Sequence, residues 1–504
     1  MQMVSYNPVT AQLATCTATD FGLWSPEHKS VTKHKVESKI LCCSWTNGGQ
    51  YLALGCLNGK ISIRNQSGEE KVCITRKEPI WCLQWNPSRE EAIDLLAVGC
   101  WDQTLSFYQL TGIQLGKDRK LDYDPCALSY YNNGEYLLLG GSNRQAILYT
   151  KEGVKLNTIA EKDDWVWSLA SRPKNNFVAV GANDGTISMY QIMFSTVHGL
   201  YQNRYAYRDN MTDVIVQHLI SEQKVRIKCR DYVKKIAVYR DRLAVQLPDR
   251  VIIYELTTDD PYNTNMHYRV RERIVKSLEC NLLVVTSLHL ILCLERKLQL
   301  FNFKGHKDRE WVLESVIRYI KVVGGPSGRE GLLVGLKNGS VLKIFVDNPF
   351  PIQLIKQETS IRCLDLSASR KKLAVVDENA NCLVYDLQTK DLLFQEQNAN
   401  SVAWNTEYED MLCFSGNGNL YIKTGNFPIH SQRLQGFVVG FNGSKIFCLH
   451  YVAMSTIDVP QSASLYRYLE QKEWDQAYRV ACLGVTESDW RLLAMKALRS
   501  MNLD

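Results

Sequence analysis

Phe177-Val178-Ala179-Val180-Gly181-Ala182-Asn183-Asp184-Gly185-Thr186-Ile187-Ser188-Met189-Tyr190 holds two short apolar runs around a turn. Both runs are rich in β-branched and aromatic residues, and Asn183-Asp184-Gly185 between them is hairpin chemistry. The unit recurs. Tyr51 to Gly55 leads through Asn58-Gly59 to Ile61 to Ile63, Leu95 to Gly99 leads to Leu105 to Tyr108, and Tyr136 to Gly140 leads to Ala146 to Tyr149. The glycines that end the first runs, Gly55, Gly99, Gly140 and Gly181, stand 44, 41 and 41 residues apart. That period is the length of a four-stranded propeller blade.

The inner strands of successive blades carry Ser44-Trp45, Gln84-Trp85-Asn86-Pro87, Ser129-Tyr130 and Trp165-Val166-Trp167. Large aromatics here are expected to fill gaps between blades. Stacking of a ligand on Trp165 or Trp167 is the sharper alternative. Val4-Ser5-Tyr6-Asn7-Pro8 reads as an inner strand and its turn, with only Met1, Gln2 and Met3 before it. Residues 1–195 therefore predict a first propeller of about five blades, shortened by about two N-terminal blades; a five-bladed ring is the alternative.

Residues 196–213, with Tyr201, Tyr205 and Tyr207 among Arg204, Arg208 and Asp209, read as a connector. Residues 214–459 read as a second propeller of six to seven blades. Its signals include Leu243 to Leu247, Leu282 to Val285, Gly331 to Gly335, Leu373 to Val376, Met411 to Phe414 and Ile446 to Leu449. A seventh blade is sought between Leu298 and Val323. Residues 460–504 read as the first helices of an α-solenoid. Leu465, Tyr468 and Leu469, then Trp474, Ala477, Tyr478 and Ala481, have helical spacing; Gly484 suits a helix end, and Thr486-Glu487-Ser488-Asp489 a capping box.

The 504 residues carry 59 basic and 53 acidic side chains, a net charge of +6. That near balance gives no reason to expect nucleic acid as a partner. Lys224, Arg226, Lys228, Arg230, Lys234 and Lys235, and separately Arg269, Arg271 and Arg273, read as solvated strand faces, with a surface for an acidic partner as the sharper alternative. The longest apolar stretch, Leu282 to Leu294, is too short to span a bilayer. The 16 Cys include no C-x-x-C pair and read as small buried hydrophobes in a reducing compartment.

No residue set is expected to be catalytic, to hold a cofactor or to bind a metal, and no partner-binding residues can be named. Gly55-x-x-x-Gly59-Lys60 and Gly112-x-x-x-Gly116-Lys117 are each one residue short of a phosphate loop. Gly324 to Gly331 lacks a strand-to-helix context and reads as an exposed loop.

The blades resemble the WD-repeat class, although Arg64-Asn65, Tyr108-Gln109, Tyr149-Thr150 and Tyr190-Gln191 replace the terminal Trp-Asp, and only Tyr385-Asp386 keeps an aromatic-Asp pair. Ser5-Tyr6-Asn7-Pro8, Asp20 to Glu27, Phe194 to Tyr201, Arg204 to Asp209, Met211 to Leu219, Leu332 to Gly339, Ala374 to Asn379 and Ala481 to Thr486 are similar to the WD-repeat subunits of intraflagellar transport complex A. The resemblance implies two WD40-like propellers in tandem, the first incomplete, then the start of a TPR-like α-solenoid, shortened at both ends. It also implies a non-enzymatic scaffold, without cofactor or transmembrane segment, at the cilium, its basal body and in the cytoplasm. The implied partners are the sister subunits of complex A and ciliary membrane-protein cargo with its adaptors. The implied roles are retrograde transport, cilium assembly and entry of membrane proteins. The rival readings are a vesicle-coat-like adaptor that binds cargo peptides or membrane through a propeller face, and a propeller hydrolase with carboxylates or His converging on a channel.

Overall fold

The computed structural model describes residues 3–25, 27, 31–89, 93–257, 266–425, 429–450, 453–459, 461–482, 485 and 487–500. Two compact units result: Met1–Ser195 with Arg230–Tyr232, and Thr196–Cys229 with Val233–Asp504. The strands form twelve antiparallel meanders, each in sequence order. Sheets 1 to 5, in the first unit, cover 3–35, 40–75, 80–120, 125–161 and 166–191. Sheets 6 to 12, in the second, cover 198–228, 235–274, 282–312, 317–356, 361–397, 401–433 and 437–458. Sheets 5 and 12 have three strands and the others four.

Two expectations are corrected. The stretch 196–213 is not a connector: His198–Tyr201 and Arg204–Asp209 are the first two strands of sheet 6. The turn between them is Gln202-Asn203, with Gln202 rather than glycine at positive φ (51°), so no glycine announces it. Tyr205 is buried there and stacks on Tyr207 at 5.2 Å. The seventh blade is accordingly this sheet, which starts the second array before residue 214. The segment between Leu298 and Val323 instead completes sheet 8 and opens sheet 9.

The repeating glycines are close-approach sites. A Cβ on Gly55 would stand 2.8 Å from Ile80 Cγ2, one on Gly140 2.5 Å from Val166 Cγ1, and one on Gly335 2.5 Å from Ile361 Cγ2. In each case the obstacle opens the inner strand of the following sheet, which packs directly on the glycine backbone. Gly181 differs, since its Cβ would meet only Ser168 of its own sheet. The strand beside it carries Ile187, 78% exposed, and Met189, 62% exposed. Sheet 5 therefore presents an uncovered apolar face.

Buried asparagines tie neighbouring sheets together. Asn7, Asn86 and Asn405 end inner strands, and each donates through Nδ2 to a glycine carbonyl of the next sheet: Gly49 at 2.7 Å, Gly134 at 3.1 Å and Gly443 at 2.8 Å. Each Oδ1 also accepts the N–H two residues on, from Val9, Ser88 and Glu407. The amide thus closes its own turn and fixes its neighbour.

The second unit closes on itself. Tyr205 and Leu219 of sheet 6 share a cluster with Phe447 and Leu449 of sheet 12, and Asn442 donates to Asn203 at 2.7 Å. Helices Ser462–Gln471, Trp474–Cys482 and Glu487–Arg499 follow. Leu465, Leu469, Ala477, Val480 and Ala481 pack with Met411, Leu420 and Ile446 of the last two sheets. Tyr478 is exposed and meets Trp490 edge-on at 5.9 Å. Gly484 and Thr486 lie outside the described residues.

Gly140→Val should cost about 3 kcal/mol or more, because it drives a branched side chain into Val166. Gly181→Val should shift stability by under about 1 kcal/mol, since a β-branched residue suits an open strand face. Urea unfolding midpoints of the two variants check this pair.

Candidate interaction surfaces

Inner strands share one phase. In six of the twelve sheets the second residue of the inner strand is an unpaired bulge, as the register shows at Leu41, Trp81, Cys126, Trp167, Arg318 and Arg362. A bulge re-aims the side chain it carries. In sheets 2, 3 and 10, the fifth residue receives a backbone N–H from the next inner strand: Ser44 from Trp85, Gln84 from Tyr130 and Asp365 from Trp404.

In the second unit these strands enclose a cavity of about 820 Å³, walled by all seven sheets through residues such as His198, Ile236, Leu283, Tyr319, Arg362, Val402 and Val439. Among its described lining residues, Asp365 is the one carboxylate and His198 the one imidazole. Asp365 already holds the Lys321 ammonium on one oxygen and the Trp404 N–H, at 2.9 Å, on the other. It occupies the same strand position as Ser44 and Gln84, so its role is architectural. Burial depresses the His198 pKa and keeps the ring neutral. Among the described residues no three His, Cys, Asp or Glu gather in a metal-holding group.

In the first unit the aromatics expected to fill gaps divide into two groups. Trp45, Trp85 and Tyr130 are buried between sheets. Trp165 and Trp167 are only partly buried and belong to a chain of four indoles. Trp81 stacks on Trp101 at 4.3 Å and 8°, and meets Trp167 at 5.5 Å; Trp167 stacks on Trp165 at 5.7 Å. The Trp81–Trp167 contact joins sheets 3 and 5, skipping sheet 4. Sequence reading missed Trp81 and Trp101. The available signal was phase: Trp81 and Trp167 are both second residues of inner strands.

The basic stretches are solvated faces with local counter-charges. Arg226 pairs with Asp209 at 2.8 Å and Asp213 at 2.9 Å, and Glu255 holds Arg242, Arg269 and Arg271 at 2.7, 3.1 and 2.8 Å. The run 324–331 joins two strands of sheet 9, and Pro326 and Ser327 are exposed. Its far end differs from expectation: Glu330 is fully buried and accepts the N–H groups of Ser287, at 3.1 Å, and Gly328, at 2.9 Å. Gly59 and Gly116 stand at positive φ in turns between strands. Twelve of the 16 cysteines are buried, and burial pushes the Cys448 thiol up to about 12. No helix among the described residues is long and apolar enough to cross a membrane.

Residues 1–191 match the family model described as the IFT122 first beta-propeller, and residues 198–454 that of the IFT122 second beta-propeller. The chain belongs to the IFT122 family. It is 66% identical over 508 residues to the intraflagellar transport protein 122 homolog of Mus musculus, covering all of this chain and 43% of the mouse protein. The homolog of Xenopus tropicalis is 65% identical over 508 residues, again 43% of its length, and that of Homo sapiens 58% identical over 567 residues, 46% of its length. The chain thus spans under half the length of these IFT122 relatives, and all of it aligns.

Asp365→Ala should destabilise the second unit by about 2 kcal/mol, because it leaves the buried Trp404 N–H without an acceptor. Asp365→Asn keeps an acceptor there and should cost under about 1 kcal/mol, the Lys321 partner being half-exposed. Equilibrium denaturation of both variants measures the difference.

Proposed function

We propose that this chain is the propeller-bearing part of a non-enzymatic scaffold subunit of intraflagellar transport complex A. In this reading it supports retrograde ciliary transport, cilium assembly and entry of membrane proteins into cilia, acting at the cilium, its base and in the cytoplasm. Its partners are the other complex A subunits and, through adaptors, membrane-protein cargo. The observation that carries the reading is that two family models, one for each IFT122 propeller, tile the chain from residue 1 to 454.

The physical chemistry supports it. Sheets locked by packed glycines and buried amides give stiff walls whose loops and rims stay available to other proteins. The channel of the second unit has its carboxylate committed to the fold. The last helices leave Trp490, Met495 and Leu498 exposed, an apolar face of the kind that successive solenoid helices cover.

Affinity capture of the tagged chain from ciliated cells tests the proposal. Enrichment of the other complex A subunits over a tag-only control is expected. Recovery of vesicle-coat components without those subunits would refute it and favour the adaptor reading.

A further inference from the structure

The four-indole chain of the first unit stands on a distinctive position. Trp81 and Trp167 are the bulged second residues of their inner strands. In the second unit the same position is held by Arg362, which lines the central cavity, and by Arg318, which is exposed outside its lining. The rings of Trp81 and Trp167 meet at 5.5 Å across the omitted sheet 4. Trp101 and Trp165 extend the row outward on the adjoining loops. Indoles buried purely as filler would resemble Trp85, which is 2% exposed; these four keep exposed surface.

The setting of this row is acidic. In an antiparallel meander, the turn between second and third strands and the link to the next sheet emerge at the same end. Those segments around the indoles are 76–79, 101–103, 121–124, 142–144, 162–165 and 183–186, and they carry seven carboxylates against four cations. The chain as a whole has the opposite sign, at +6. One pair is internal, since Arg76 holds Asp102 at 2.8 Å, which leaves six carboxylates against three cations. Trp101 Nε1 donates to Pro125 O at 3.1 Å, next to Asp124, and Asp164 accepts the Trp165 N–H at 2.7 Å. Glu78, Asp122 and Asp163 are exposed around them.

We propose that this end of the first unit is a docking site for an arginine-containing linear segment of a partner protein. The guanidinium groups would lie on indole faces while the surrounding carboxylates take their charge. Indole is the strongest aromatic partner for a cation, and guanidinium stacks on it while keeping its N–H groups free for carboxylates. Charge complementarity adds on-rate and specificity. Lysine, a compact and strongly hydrated charge, gains less from the flat surface.

The test uses the full 504-residue chain and a fluorescein-labelled peptide of five Arg-Gly repeats, with Lys-Gly and Glu-Gly peptides as comparators, read by fluorescence anisotropy. The Arg-Gly peptide should bind most tightly, Lys-Gly more weakly and Glu-Gly not at all, with binding falling steeply in about 0.5 M salt. Trp101→Ala should weaken Arg-Gly binding about tenfold, while Trp24→Ala, at an exposed position of sheet 1, should leave it unchanged. The paired exposed substitutions Asp122→Asn and Asp163→Asn, which disturb no packing, should weaken it several-fold with an unchanged circular dichroism spectrum. The proposal is overturned by an absence of Arg-Gly binding, by equal binding of the Glu-Gly peptide, or by affinities of Trp101→Ala or the paired Asp variants within twofold of the parent.

Discussion

The constraint on which this structure depends is the stacking of each sheet on its neighbour, closest where an inner strand approaches a glycine of the preceding sheet. Ile80 on Gly55, Val166 on Gly140 and Ile361 on Gly335 all sit where a single Cβ would overlap them. A four-stranded meander has two apolar faces and cannot bury either alone; stacking on a neighbour supplies the cover. The glycines set how close that neighbour comes. The asparagine bridges from Asn7, Asn86 and Asn405 then fix its rotation. Because each amide is buried and fully partnered, misplacing a sheet leaves polar groups unsatisfied, so the geometry is specified as well as stabilised.

Much of this was legible in the residues. The glycine spacing announced the first blades because Gly55, Gly99 and Gly140 each carry that close approach. Glycine-free runs such as Leu243 to Leu247 and Leu373 to Val376 were still read from their apolar residues, but one sheet was not. The 198–228 sheet turns at Gln202-Asn203 and uses Tyr205 as its core, so it read as a connector, and the missing blade was sought elsewhere. The buried Glu330 was equally invisible. A carboxylate in a glycine-rich loop reads as solvated, and only the fold brings the Ser287 N–H to it.

The candidate surfaces were legible in part. The basic runs read correctly as solvated faces, because alternation with Val and Ile is a local property. The tryptophans did not resolve by type alone. Trp45 and Trp85 fill gaps between sheets, whereas Trp81 and Trp167 occupy the bulge phase and meet across an intervening sheet. That contact depends on the ring-like arrangement of strands far apart in sequence. Asp365 makes the converse point, since a lone channel carboxylate resembles chemistry until its strand position matches Ser44 and Gln84, which do the same structural job.

Sheet stability here depends on the neighbouring sheet, and native-state hydrogen exchange followed by mass spectrometry tests that most directly. In the closed second unit, the strands Arg204–Asp209 and Lys445–His450 should exchange as slowly as Gly331–Leu336. In the first unit, protection should fall from the strand Leu95–Cys100 to Ile187–Gln191, which should exchange fastest. Uniform protection across all five sheets of the first unit, or early exchange of the 204–209 and 445–450 strands, would contradict it.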